Sequence, residues 1–303
     1  MQHSYPNRFL PDNNNQLWCK LDPSRDGYLN LDRSRQVDGY APVLNIPLIK
    51  SIKPYLSLLL MIGIDGSVTC IRDADGFSDG SITTVDLPPV KDFVIIPIEF
   101  HERIVLLTVE GVVLKGKIDT LNTIRGTLEQ IAVDIDLISL VDDNSLLMID
   151  STGKVTWKEL SCQLPSPVRL INDRLIVLEN DDLVVLNVDY DKDIGTLRIF
   201  IVNIDHSLGR IIGIDRLSLT ILDDQGITAK LIKCYTRIGA PNDNGIYQVV
   251  NSYRVSSVNH SNVNHPQRLV KIGWDLYIED VNDVLYTREG EHFKLPFTLN
   301  TSC

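Results

Sequence analysis

One pattern recurs along the whole chain and limits what it can fold into. An apolar run rich in β-branched residues meets a short turn, and a second apolar run follows. Residues 56–71 read LSLLLMIGIDGSVTCI, 103–118 RIVLLTVEGVVLKGKI, 144–160 NSLLMIDSTGKVTWKEL, 173–188 DRLIVLENDDLVVLNV, 216–232 RLSLTILDDQGITAKLI and 275–289 DLYIEDVNDVLYTRE. A weaker first copy, QLWCKLDPSRDGYLNL, spans 16–31. Tight hairpins need positive φ at a turn position, and Gly, Asn and Asp supply it at least cost. The repeat turns are therefore centred on Gly27, Gly66, Gly111, Gly153, Asp182, Gly226 and Asp283.

These centres recur at intervals averaging about 43 residues. A hairpin uses only part of such an interval, so each period has room for two more short strands. Four strands in about 40 residues make the blade of a β-propeller. The segments before the hairpins also repeat. Asn45-Ile46-Pro47-Leu48-Ile49, Leu87-Pro88-Pro89-Val90, Leu164-Pro165-Ser166-Pro167-Val168 and His265-Pro266 each put proline ahead of an apolar strand, where no ladder hydrogen bond is lost. The expected fold is all-β: a seven-bladed β-propeller of four-stranded antiparallel blades, formed as a single domain over 1–303. The segment at 8–10 should pair beside 293–299, so that both chain ends share one blade.

The order Pro, Val/Leu, Ile, apolar run, then Asp/Glu-Gly-x-Val is similar to the repeats of the regulator of chromosome condensation family. The likeness covers about five of the seven units. It implies a propeller and a chromatin-associated or other nucleic-acid-linked role. The chain departs from that family in lacking its Trp-Gly and Gly-Gln-Leu-Gly elements: only Gly116 follows Lys115, and Trp157 has no glycine after it. Repeats that depart in this way resemble those of large DNA viruses, so a viral, virion-associated protein is one expectation.

Charge separates the functional classes. The net charge is -11, from 29 Lys+Arg against 40 Asp+Glu. Gripping phosphates or anionic lipid needs clustered basic side chains, and only Lys115-Lys117 with Arg125 and the 268–271 stretch are locally basic. Nucleic acid is a disfavoured partner and a membrane is not expected. The polar start has no apolar core, and 56–64 is too short to cross a bilayer. An intracellular protein, cytoplasmic or nuclear, is expected. The five cysteines, at 19, 70, 162, 234 and 303, include no CxxC pair, so neither a disulfide framework nor a zinc site is expected.

No catalytic motif stands out. The full phosphate-binding pattern Gly-x-x-x-x-Gly-Lys-Ser/Thr is absent. Asp73 to Gly80 resembles half a calcium loop but has Thr84 where the bidentate glutamate would stand. His260 and His265 lack a neighbouring Cys or acidic partner in the sequence. Neither metal nor cofactor is expected, and a propeller hydrolase or lyase is the least favoured alternative. The leading expectation is a non-catalytic platform that binds a protein partner. The longest interruption of the repeat, a loop insertion at about 234–266, carries the candidate partner-binding residues Tyr247, Tyr253, Arg254, His260 and His265. Tyr and Arg anchor interfaces because each joins apolar area to a polar end.

Overall fold

In a computed structural model, residues 3–5, 8–22, 29–55, 58–72, 82–96, 103–117, 128–141, 145–191, 194–202, 209–215, 218–222, 229–241, 247–257, 266–272, 275–287 and 291–299 are described. The strands are β1 (His3–Tyr5), β2 (Phe9–Pro11), β3 (Leu17–Lys20), β4 (Tyr40–Pro42), β5 (Ile49–Tyr55), β6 (Leu58–Gly63), β7 (Val68–Arg72), β8 (Ile82–Val85), β9 (Val90–Ile96), β10 (Arg103–Thr108), β11 (Val113–Lys117), β12 (Glu129–Ala132), β13 (Ile135–Leu140) and β14 (Leu146–Asp150). They continue with β15 (Lys154–Trp157), β16 (Leu160–Gln163), β17 (Val168–Asn172), β18 (Leu175–Leu178), β19 (Leu183–Asp191), β20 (Ile194–Val202), β21 (Arg210–Asp215), β22 (Ser218–Leu222), β23 (Ala229–Pro241), β24 (Tyr247–Ser257), β25 (Pro266–Ile272), β26 (Asp275–Asp280), β27 (Val284–Tyr286) and β28 (His292–Lys294). A 3-10 turn covers Arg33–Arg35.

The sheets run β2-β3-β4, β5-β6-β7-β8, β12-β11-β10-β9, β13-β14-β15-β16, β17-β18-β19-β20, β21-β22-β23-β24 and β1-β25-β26-β27-β28. Sequence-adjacent strands pair antiparallel within each sheet, which is the blade architecture of an all-β propeller. The chain divides into two compact units. One holds His3–Ile138 with Lys271–Asp275 and Lys294–Cys303, the other mainly Ser139–Val270 and Leu276–Phe293.

In the first unit, β6 explains why a strand here reads as an unbroken apolar run. Leu59 and Met61 pack with Phe9, Leu17 and Ile49 of the preceding sheet and its own β5. Leu60 and Ile62 pack with Val90, Phe93 and Ile104 of the following sheet. Both faces of β6 are buried, so neither has use for polar residues.

Six hairpin turns share one conformation. Asn15, Gly66, Gly111, Gly153, Asp181 and Asp283 all have positive φ, between 60° and 83°. Each donates its backbone N–H to the carbonyl three residues before it: Asp12, Gly63, Thr108, Asp150, Leu178 and Asp280. This is a type I turn closed by a left-handed residue, a common three-residue hairpin loop. Four of the seven turn centres expected from the sequence are these left-handed residues: Gly66, Gly111, Gly153 and Asp283. Two expectations need correction. The fifth turn places its left-handed residue at Asp181, not Asp182, because the strand resumes at Leu183. The first hairpin turns at Asn15, not Gly27, because 9–11 and 17–20 supply its paired runs. Gly27 and Gly226 lie outside the described residues.

The side chain at the first turn position reinforces the loop. Asp12 Oδ1 accepts from the N–H groups of Asn14 and Gln16, and Asp280 Oδ1 from those of Asn282 and Val284. Asp150 does the same at the surface, accepting from the N–H groups of Thr152 and Lys154, whereas Asp65, at the third position of its turn, accepts from Ser67 N–H. At Asp12 and Asp280 the second oxygen is buried and is also used, accepting from Trp18 Nε1 at 2.8 Å and from the Tyr286 hydroxyl. Both aromatics stand six residues after their aspartate.

The sheet β2-β3-β4 shows three strands, and the C-terminal segment supplies its fourth line. Leu299 bridges Asp12 in antiparallel fashion, and Asn13 N–H donates to Thr298 O. The Phe297 ring stacks on Trp18 at 4.9 Å and meets Tyr40 edge-on. Leu295-Pro296-Phe297-Thr298-Leu299 repeats the proline-led pattern found before the other first strands. The expected pairing of the two chain ends within one blade is present, with the bridge at Asp12 rather than at 8–10. Residues 8–10 pair with β3 instead.

Candidate functional site

The second unit carries two hairpins that outgrow their sheets. β22 pairs with β23 only as far as Ser218↔Lys233. Beyond it β23 and β24 continue alone, from Cys234↔Tyr253 to Pro241↔Tyr247. At about 3.3 Å per residue the excess is roughly 25 Å. In the preceding sheet, β18 stops at Leu175↔Val185 while β19 and β20 continue to Asp191↔Ile194. Both hairpins leave at the same end of their sheets, beside the turn joining the first two strands, and β20 approaches β24.

The stretch expected to be a loop over 234–266 is therefore strand through Pro241 and again over Tyr247–Ser257. The cause is local. Tyr-Thr-Arg-Ile and Tyr-Gln-Val-Val-Asn-Ser-Tyr-Arg-Val are β-rich runs flanking Pro241-Asn242-Asp243-Asn244-Gly245, a composition that favours reversal. Tyr247 stands near the distal end and Tyr253 opens the projecting part. Arg254, paired with Lys233, is still at its root. His260 and His265 lie outside the described residues, as do Asp73 to Gly80. Sequence reasoning missed the β19-β20 hairpin. Its signal was two long apolar-rich runs flanking Asp191-Lys192-Asp193.

Charged pairs tie strands together elsewhere. Lys53 meets Asp92, Lys91 meets Asp136, and Arg169 meets Asp181 while donating to Ile211 O at 2.8 Å. Desolvation lowers the Arg169 pKa from its ordinary value, with the Asp181 charge opposing that shift. Arg268 and Glu279 form a largely buried pair. Desolvation, then the Asp280 carboxylate, raises the Tyr286 pKa. Burial pushes the Cys162 thiol up to about 11, which makes it a poor nucleophile at neutral pH. Among the described residues no group of three or more His, Cys, Asp or Glu is placed to hold a metal. No helix among them is long and apolar enough to cross a membrane.

No family model matches the chain, and no curated protein matches it. Solved structures do. BBS1N, crystallised in complex with ARL6DN, matches at TM-score 0.50 with 12% identity over 99% of this chain and 94% of that one. Prp20p from Saccharomyces cerevisiae, also described as yeast RCC1, matches at TM-score 0.49 and 11% identity over 94% and 81%. The WD40 domain of SCAP from fission yeast matches at TM-score 0.41 and 12% identity over 79% and 74%. At such identities the likeness is one of fold.

Proposed function

We propose that this chain is a non-catalytic propeller of seven blades whose projecting hairpins, β19-β20 and β23-β24, bind a protein partner. The observation that carries this reading is the pair of hairpins that leave adjacent sheets at the same end. Strand that extends past its own sheet adds nothing to that sheet's pairing, while it presents backbone and side chains to another molecule. The seven sheets support the blade count. The sequence of the β23-β24 projection supplies Tyr235, Tyr247 and Tyr253, residues of the type that anchors interfaces.

The test shortens one hairpin within its own register. Thr236 pairs with Asn251, so replacing 236–251 with Asn-Gly lets Tyr235 and Ser252 close directly as a tight hairpin. The shortened chain and the full chain are used for affinity capture from the source cell. The expected result is an unchanged melting curve with loss of the partner recovered by the full chain. Equal recovery with an intact fold would sink the reading. A salt titration with duplex DNA checks the nucleic-acid alternative, because phosphate binding weakens steeply with salt.

A further inference from the structure

We propose a second binding surface, on the first unit, that takes a peptide segment alternating apolar with basic side chains. It goes beyond the hairpin reading and uses none of its residues.

The surface arises at the second position of the shared turn. That position is Asn13, Ser151 and Glu179 in three turns, but Ile64, Val109 and Val281 in the other three. Ile64 is 57% exposed and Val109 60%. Neither is needed for the turn, whose conformation is met equally well with Ser151 in place.

Backbone hydrogen bonds fix the neighbours of the two tips. Ile64 N–H donates to Leu48 O at 2.9 Å, and Val109 N–H to Pro89 O at 2.9 Å. Gly66 O accepts from Val90 at 2.8 Å, which sets the Ile64 turn against the start of β9. Gly111 O accepts from Ile135 at 3.0 Å, which sets the Val109 turn beside Val133 and Asp134. Leu48, Pro89 and Val133 are all exposed. The series Leu48, Ile64, Pro89, Val109, Val133 thus sets exposed apolar residues in succession along hydrogen-bonded segments of two neighbouring sheets and the link that leaves the second. Isolated exposed apolar side chains need no explanation, whereas a contiguous stripe marks an interaction site.

Charge selects the occupant. Each of three apolar tips is followed directly by an exposed carboxylate: Ile64 by Asp65, Val109 by Glu110, Val133 by Asp134. Hydrogen bonds from the Ser67 hydroxyl and backbone hold the Asp65 pKa below its usual value, so that carboxylate is ionised at neutral pH. The exposed cation on these same segments is Lys50, while Lys91 is engaged with Asp136. A stripe with carboxylates at regular intervals fits a segment that sets apolar side chains between lysines or arginines. It repels nucleic acid and acidic peptides by the same charges.

The experiment uses the full chain and three short fluorescein-labelled peptides, read by fluorescence anisotropy at physiological ionic strength. One alternates leucine with lysine, one leucine with glutamate, one serine with lysine. The expected result is binding of the leucine-lysine peptide alone. The I64S/V109S double variant should weaken it about tenfold, the loss expected when two apolar contacts go. D65N/E110Q should weaken it and flatten its salt dependence. V281S, at the same turn position in the other unit, should leave it unchanged, and all variants should keep the wild-type melting curve. Equal binding of the serine-lysine peptide, or no effect of I64S/V109S, overturns the proposal. So does duplex DNA binding that I64S/V109S abolishes, or a concentration-dependent dimer lost in I64S/V109S, which would make the stripe a self-interface. Shortening the β23-β24 hairpin should leave peptide binding intact, so the two surfaces fail separately.

Discussion

Replacing Gly66 with alanine tests whether these turns are held by backbone conformation alone or also by the neighbouring sheet. Gly66 has φ +80°, and so does Gly39. An alanine in the left-handed region costs roughly 1–2 kcal/mol at either site. The surroundings differ. A Cβ on Gly39 meets nothing within 4 Å. A Cβ on Gly66 would lie 2.9 Å from Pro89 Cβ and 3.0 Å from Val90 N, the amide that donates to Gly66 O. Backbone cannot swing aside as a side-chain tip can, and overpacking of this kind costs about 1–3 kcal/mol more. Gly39→Ala should thus lose about 1–2 kcal/mol and Gly66→Ala about 2–5 kcal/mol. The entropy lost from the unfolded chain is the same in both and drops out of the comparison. Gly111→Ala should fall between them, since its Cβ would sit 3.1 Å from Ile135 O. Urea unfolding followed by far-UV circular dichroism gives the ranking, provided the m-value holds constant. If Gly66→Ala and Gly39→Ala differ by less than about 0.5 kcal/mol, the sheet-to-sheet contact at this turn does not constrain it, and the steric argument is wrong.

Other consequences can be checked directly. Asp280→Ala leaves the Asn282 and Val284 N–H groups and the Tyr286 hydroxyl without their acceptor and should cost about 2–4 kcal/mol by denaturant unfolding, with Asp280→Asn milder. Phe297→Ala removes the ring stacked on Trp18. It should cost about 2–4 kcal/mol and shift the tryptophan emission, as loss of a ring contact exposes the indole. Hydrogen bonding lowers the folded pKa of Asp65 and Asp150. The stability each contributes is present above the unfolded carboxylate pKa and is lost as pH falls through the lowered folded value. Ser67→Ala and Thr152→Ala should raise these two pKa values in an NMR titration of the carboxylates. Because burial raises the Cys162 thiol to about 11, Cys162→Ala should leave the rate of thiol labelling at pH 8 nearly unchanged.

The turns were legible where the conformation admits few residue types. Gly66, Gly111 and Gly153 announce a left-handed position because other residues pay strain there. Asn15 was hidden among Asn13, Asn14 and Asn15 after Asp12, where any of three asparagines suits the turn, and Asp26-Gly27 downstream offered a stronger signal. Asp181 and Asp182 are chemically alike, so only the register separates them. The β23-β24 hairpin was mistaken for loop because Asn251, Ser252, Ser256 and Ser257 dilute its apolar content. Strand outside a sheet's core can be polar without penalty, and pairing between its own arms sustains it. The stripe at Ile64 and Val109 could not be read from the sequence. Both residues continue the apolar run of the strand before them, and only the turn geometry shows that they sit past its end.

The bridge between Asp12 and Leu299 also has a temporal meaning. Ribosomes add about 5–20 residues per second, so residue 12 waits roughly 15–60 s for the segment that completes its sheet. Throughout that interval β2 keeps a bare hydrogen-bonding edge, with Phe9, Leu10 and Leu17 close behind it. Such an edge is a template for the wrong strand, from a neighbouring nascent chain or from another part of the same one. This sheet is completed by the arrival of Leu295 to Leu299, and Trp18, which receives Phe297, is a natural optical reporter of that moment. Stalled chains released before residue 295 should be the species that chaperones retain, and supplying the missing segment in trans should release them.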